Sequence, residues 1–327
     1  MAFVRADEVL VFALLRYRYL RSGQLAALSD RSVQVVRRRM RELVRLGYAV
    51  TLERISMHEL VYALGPKGWD HVAKELKVSP NKLPYSRSNS RSAETIFLQH
   101  TLLTNDVRIA FDRALAEHPH VALRRAIPEW EMAESVDWEK LRKSKKSKAA
   151  KTTKKYLLAE NMEYRVKGKK KTIRFRPDCL FLIYTRRQGP NYSAAFFLES
   201  DRSSEPIASK IHEKYLSYML YFQKRRFNEV WGAGKMRVLF VVERGNPTKR
   251  IARMQAELQA MADELGDREP VEGSDSKAAF VHAFRFCDAS DLNEQTVVDG
   301  KIWTDWQGRA VALYEPSHSP RPEGHRK

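Results

Sequence analysis

Between Ser32 and Gly47 the chain carries its most restrictive pattern. Val33, Val36, Met40, Leu43 and Leu46 recur three or four residues apart and form one apolar stripe of a helix. Ser29 or Ser32 caps its start and Gly47 closes it. Gln34, Arg37, Arg38, Arg41 and Arg45 take the other faces. A helix of this kind must bury one side against a small domain and leave a cationic side outside.

The flanking residues supply that domain. Spacing predicts a helix from Asp7 to Tyr19 and a short second helix capped by Ser22, through Gln24, Leu25 and Leu28. After Gly47, Tyr48 to Arg54 reads as a strand, Ser56 to His58 as a tip, and Glu59 to Leu64 as a second strand. Pro66 opens another helix. Helix, short helix, basic helix, two-strand wing and helix is the order of a winged helix-turn-helix, an α+β unit over residues 1–78. A helix fits the major groove, where Arg and Gln reach phosphates and base edges. Charge agrees: 59 Lys and Arg face 40 Asp and Glu, a formal net charge of +19, which favours a polyanionic partner. Double-stranded DNA is the expected partner, read by Gln34, Arg37, Arg38, Arg41 and Arg45. A solvated basic face, or a winged helix used for protein contacts, is the competing reading.

Residues 79–92 lack a hydrophobic period and read as a linker. A second domain then spans 93–315. It is interrupted at 140–155 by a Lys, Ser, Thr and Ala run that reads as a mobile, phosphate-contacting insertion or a solubilising one. Residues 316–327 read as a disordered tail. The second domain begins with a helix from Ala93 to Glu117 and a strand from Val121 to Met132. Further strands are expected at Thr172 to Tyr184, Tyr192 to Asp201 and Met236 to Glu243, the last a buried central one. Helices are expected at Ile207 to Gln223 and Pro247 to Leu265. The class is α/β: a mixed sheet flanked by helices. Trp303 and Trp306 read as packing residues. No run approaches the ~18–20 apolar residues of a membrane span. Arg5, Asp7, Glu8, Arg16 and Arg18 break the first twenty residues, and two lone cysteines, Cys179 and Cys287, fit a reducing cytoplasm.

Acids stand where strands should be apolar. Asp178 follows Pro177 at the start of a hydrophobic run, and Glu199 and Asp201 end another. Carboxylates that converge from strand ends are unfavourable unless paired or metal-bound. A hard cation, Mg²⁺ or Mn²⁺, would satisfy them and stabilise charge on a phosphate. Strand-end acids paired with Arg174, Arg176 or Arg202 are the alternative. Tyr215, Tyr218 and Tyr221 recur three apart, either as a packed amphipathic face or as the source of a nucleophile. His100 reads more readily as a helix-core or hydrogen-bonding histidine than as a catalyst.

Arg176-Pro-Asp178, a hydrophobic strand, then Phe197 to Arg202 resemble the PD-(D/E)XK nuclease fold. More narrowly, the chain resembles the replication-relaxation family of mobile-element proteins. Gln99 to Arg108 resembles that family's His-x(4)-Asn-Asp-x-Arg helix, and Glu129-Trp-Glu131 its first strand. Leu198 to Arg202 resembles its Glu-x-Asp-Arg motif, and Lys214 to Tyr221 its tyrosine-bearing helix. The resemblance implies a role in plasmid replication and DNA relaxation, similar to relaxases that nick a transfer origin with a restriction-enzyme-like fold. It implies a metal-dependent nickase, with Asp178, Glu199 and Glu131 as metal ligands and Asp201 assisting. The broader nuclease pattern has Lys where Asp201 stands, so Lys210 or Lys214 of the next helix is expected to serve, with Tyr215 a candidate nucleophile. If neither lysine reaches the site, the implied protein is a noncatalytic DNA-binding replication or transcription accessory factor. Single-stranded DNA, a homodimer, or transfer and replication proteins are further partners left open.

Overall fold

The computed structural model describes residues 3–52, 60–80, 83, 95–131, 156–166, 168–266 and 277–315. The expected wing tip at 56–58, most of the expected linker, the expected basic insertion at 140–155 and the expected tail lie outside these residues. Among the described residues no helix is long and apolar enough to cross a membrane.

The first unit holds helices α1 (Glu8–Tyr17), α2 (Ser22–Ser29), α3 (Val33–Arg45) and α4 (Pro66–Glu75), with strands β1 (Tyr19–Arg21), β2 (Ala49–Leu52) and β3 (Val61–Leu64). Ser32 caps α3 as expected, its hydroxyl accepting the Val35 N–H at 3.4 Å. Val36, Met40 and Leu43 of the stripe are completely buried, and Val33 and Leu46 at its ends are half-buried. Gly47, with φ +84°, turns the chain into β2. Gly68 of α4 has no room for a side chain: a Cβ there would lie 2.2 Å from the Tyr48 carbonyl oxygen.

Two expectations fail here. The first helix stops at Tyr17, because Arg18 takes φ +69° and the next three residues form β1, paired antiparallel with β3. The sheet order is β1-β3-β2. Ser22 is the first residue of α2 rather than its cap; the Arg21 N–H is instead held by Gln24 Oε1 at 2.9 Å.

The second unit is a seven-stranded mixed sheet between helices. Its strands are β4 (Val121–Pro128), β7 (Cys179–Thr185), β8 (Ala194–Asp201), β9 (Lys235–Val242), β10 (Phe284–Asp288), β11 (Trp303–Thr304) and β12 (Ala310–Val311). The order is β12-β11-β10-β9-β8-β7-β4, with β8, β9 and β10 parallel to one another. Helix α5 (Thr95–Ala116) covers one face through Leu103, Val107 and Phe111, packed with Phe181, Leu198 and Leu239. A π turn at Ile207–Ile211 leads into α6 (His212–Gln223); α7 (Arg226–Trp231) follows, then β9 and α8 (Pro247–Gly266). Tyr215 and Tyr218 of α6 and Met254 and Leu258 of α8 cover the other face with Leu180, Phe197 and Phe240. β9 is central, and Val238 to Val242 are fully buried. Trp303 is buried and Trp306 packs beside the core.

The strand expected over 172–184 is two strands. β6 (Lys169–Phe175) pairs only with β5 (Glu160–Val166), as a separate ribbon, and β7 belongs to the main sheet. Pro177 sits at the break, where a residue without an N–H cannot continue a ladder.

Candidate functional site

The sheet register brings three acids into a row. Cys179 of β7 pairs with Leu198 of β8 on one side and with Pro128 of β4 on the other. One step further, Asp178 lies opposite both Glu199 and Glu129. The backbone confirms the step: the Asp178 N–H donates to Leu198 O at 3.0 Å and the Glu129 N–H to Asp178 O at 2.8 Å. Directly opposed residues of antiparallel strands share a face. Asp178 and Glu199 are 7% and 2% exposed, so this is a buried carboxylate row at one end of the sheet, under α6.

Each acid has a cation nearby. Asp178 Oδ1 lies 2.9 Å from His100 Nε2, and its Oδ2 accepts the Ser200 N–H at 2.7 Å. Glu199 Oε1 accepts the Tyr218 hydroxyl at 2.6 Å. Glu199 Oε2 faces Lys214 Nζ at 3.0 Å, a charge contact without hydrogen-bond alignment, and Lys214 also meets Glu205 at 2.9 Å. Glu129 faces Arg176 at 3.3 Å, and that guanidinium lies over the Tyr156 ring.

Burial pushes Glu199 up to about 7, although Lys214 opposes the shift. Burial and the Asp178 charge also raise Glu129. Burial works on Asp178 in the same sense, yet the His100 cation, its hydrogen bond and Lys214 hold it below the usual carboxylate range. Asp178 in turn raises His100 to about 9. Burial opposes the Lys214 charge, but Glu199, Asp178 and Glu205 outweigh it and raise the amine. Each acid of the row is therefore matched by one cation, His100, Arg176 or Lys214, and Lys214 is shared with Glu205.

The structure places the other candidate residues elsewhere. Lys210 is exposed and pairs with Glu213 at 3.1 Å. Asp201 is held by Arg250 and by the Ser203 N–H. Glu131 pairs with Arg125; Glu129, two residues earlier, is the first-strand acid beside Asp178. Tyr215 is fully buried and donates to Met254 O at 3.0 Å, so Tyr218 rather than Tyr215 reaches the acids. Burial raises both phenols well above their ordinary value. Arg202 pairs with Glu243, not with the row.

Among the described residues, no three His, Cys, Asp or Glu side chains stand close enough to hold a metal between them. A divalent ion fits this donor set through two carboxylates, Asp178 and Glu199. They are opposed across one ladder and their oxygens keep further lone pairs, although Lys214 stands 3.0 Å from Glu199 Oε2. Mg²⁺ is commonly held by one or two carboxylates with water and phosphate oxygens completing its shell.

On α3, Gln34, Arg37, Arg38, Arg41 and Arg45 are all exposed. Arg39 turns inward instead, its Nε 2.9 Å from buried Asp7 Oδ1. One helix connects the first unit, through α1, β1 and α2, to the acid row. On α5, Asn105 donates to Tyr17 O and Tyr19 O at 3.0 and 2.8 Å, and Arg108 donates to Arg16 O at 3.0 Å. Asp106 binds Arg21 and Gln24, and Asp112 binds Arg16 and Tyr17. His100, nearer the start of the same helix, binds Asp178. The segment with the His-x(4)-Asn-Asp-x-Arg spacing is thus the clamp between the two units.

No curated protein and no solved structure matches the chain. The replication-relaxation family model matches residues 13–235, which takes in α3, the α5 clamp and the whole acid row. The chain belongs to the replication-relaxation family.

Proposed function

We propose that this protein binds an origin site of a mobile element through a winged helix-turn-helix and cuts one DNA strand at the acid row of a PD-(D/E)XK-like domain. The observation that carries this reading is the arrangement of Asp178 opposite Glu199 with Lys214 at 3.0 Å from Glu199. Two strand-end carboxylates and an amine are the groups such chemistry uses. The amine arrives from the next helix rather than from the strand, where Asp201 stands. A noncatalytic accessory role loses its main motive once a lysine stands at the acids.

Each side chain then has a task. Lys214 neutralises charge that grows on the scissile phosphate. His100 and the Ser200 N–H fix the Asp178 carboxylate, and Tyr218 fixes Glu199. A Mg²⁺ or Mn²⁺ ion held by Asp178 and Glu199 would supply Lewis-acid stabilisation of the phosphate and activation of the attacking oxygen. The buried tyrosines, with raised phenol pKa values, favour water over a covalent tyrosine as the nucleophile.

The test is a supercoiled plasmid carrying the cognate origin, with Mg²⁺ or Mn²⁺. Wild-type protein is expected to yield open circles without a covalent protein–DNA adduct, and Asp178→Ala none. Unchanged nicking by Asp178→Ala would remove this site from the reaction.

A further inference from the structure

The β5–β6 ribbon lies outside the main sheet and carries charge that the packing does not use. Its strands pair from Glu160↔Phe175 to Val166↔Lys169. Its base is anchored: Met162 and Phe175 are buried, and Phe175 stacks on Tyr221 with ring centroids 4.0 Å apart. Its outer part is exposed and basic, with Arg165, Lys169, Lys170, Lys171 and Arg174. The ribbon's acids are already committed, Glu163 to Lys170 at 2.8 Å and Glu160 to Arg226 at 2.9 Å. Among the described residues, Arg165, Lys169, Lys171 and Arg174 form no ion pair. Four cations thus remain on a rigidly held arm.

The place of this arm gives the charge a meaning. β6 ends at Phe175, three residues before Asp178, so the base of the ribbon adjoins the carboxylate row. The acids of the row are already matched by His100, Lys214 and Arg176, so the ion-pair-free cations of the ribbon are left to meet a phosphate backbone that passes beside the row. A two-stranded ribbon also has the width that a major groove admits.

We propose that the β5–β6 ribbon is a second DNA-binding surface, which grips duplex backbone phosphates beside the acid row while α3 docks elsewhere on the same duplex. The proposal rests on the DNA-binding reading above. Lys169 and Lys171 on one face of the ribbon and Arg174 on the other supply the phosphate contacts, and Met162, Ile173 and Phe175 hold the ribbon in place.

The experiment measures binding of the full chain to a random-sequence duplex across a salt series, and maps hydroxyl-radical protection on an origin duplex. The variant Lys169→Gln/Lys171→Gln/Arg174→Gln keeps the apolar base, and Lys171→Glu is a milder second variant. Each lost phosphate contact lowers the salt slope by about 0.9, so the triple variant is expected to lower it by roughly 2–3. It is also expected to lose protection on one flank and keep the protection made by α3. An unchanged slope and footprint in both ribbon variants overturns the proposal, leaving the ribbon a solvated face. Arg38→Ala/Arg41→Ala separates the two readings. If it alone weakens binding, the ribbon proposal fails and the α3 reading stands. If only the ribbon variants weaken binding, the α3 reading fails and the ribbon remains a DNA surface.

Discussion

In the N-terminal unit most charged groups stand outside a small apolar core: Val36, Met40 and Leu43 face in, four arginines of α3 face water, and Arg39 alone of that helix turns in, to buried Asp7. In the seven-stranded sheet the arrangement is inverted. Asp178 and Glu199 are buried among aromatic rings, and their partners His100 and Lys214 come from helices on either side of the sheet. Exposed charge on a helix is adaptable and screened by salt, which suits a reader of a polyanion. Buried charge is fixed in place and strengthened by its surroundings, which suits a site that must act on one bond. Helix α5 ties the two together, since Asn105 and Arg108 hold the first unit while His100 of the same helix holds Asp178.

The contrast breaks most clearly at Lys214. Lys214→Ala is expected to reduce nicking on the order of 10²–10³-fold, the usual effect of removing one group that stabilises transition-state charge. DNA affinity, measured by anisotropy, is expected to stay within about twofold. Normal nicking with weakened binding would reverse the assignment and make Lys214 a backbone contact.

The junction gives the next largest effect. Asn105→Ala removes one donor from each of the carbonyls of Tyr17 and Tyr19 and strips Arg108 of its Asn105 Oδ1 partner. A loss of roughly 2–4 kcal/mol is expected in urea unfolding, because each buried group left unsatisfied costs about 1–3 kcal/mol. Gln34→Ala, on the exposed face, is expected to stay within ~0.5 kcal/mol. Equal, small effects at both positions would mean that the units are not clamped.

How far the sequence revealed this follows the same division. The α3 stripe, its Ser32 cap and its exposed arginines were readable, because local periodicity and capping determine them. β1 was not, since three residues carry no period and Arg18 leaves helical geometry only to let Tyr19 pair with β3. Asp178 and Glu199 stood out as acids interrupting apolar runs. Glu129 and Glu131 share a strand parity, so alternation could not choose between them; the pairing of Pro128 with Cys179 does. Tyr218 over Tyr215, and Lys214 over Lys210, depend on how α6 rotates against the sheet, which is a tertiary property. The ribbon was hidden because 172–184 reads as one strand with a polar interruption unless Pro177 is weighed as a break.

Acidity sharpens the comparison from the inside. His100 is raised from 6.5 to about 9, so its contribution is complete below pH 6.5 and is lost as pH rises through 9. Glu199 is raised from 4.5 to about 7, so the fold favours its protonated form and stability falls as pH climbs from 4.5 to 7. Both groups act in one direction. Metal-free protein is expected to lose stability from about pH 5 to 9, with His100 responsible for at most about 3 kcal/mol of the upper part. His100→Gln should flatten the curve above pH 6.5 in thermal melts. A curve as steep as wild type there would mean that His100 is not charged beside Asp178.

The smallest effect tests the exposed side of the comparison. Arg38 and Arg41 are solvent-facing on α3, so Arg38→Ala or Arg41→Ala removes no buried contact and should leave the melting temperature unchanged within error. Their free energy lies in released counterions instead. Each variant is expected to lower the slope of log K against log salt by ~1 and to weaken binding on all sequences alike where the contact is to phosphate. A base contact would show differently, as a loss of 1–3 kcal/mol confined to the cognate site. Slopes unchanged in both variants would turn α3 away from the duplex. The exposed arginines would then have no polyanion to read, and the surplus of positive charge would have to act through the ribbon.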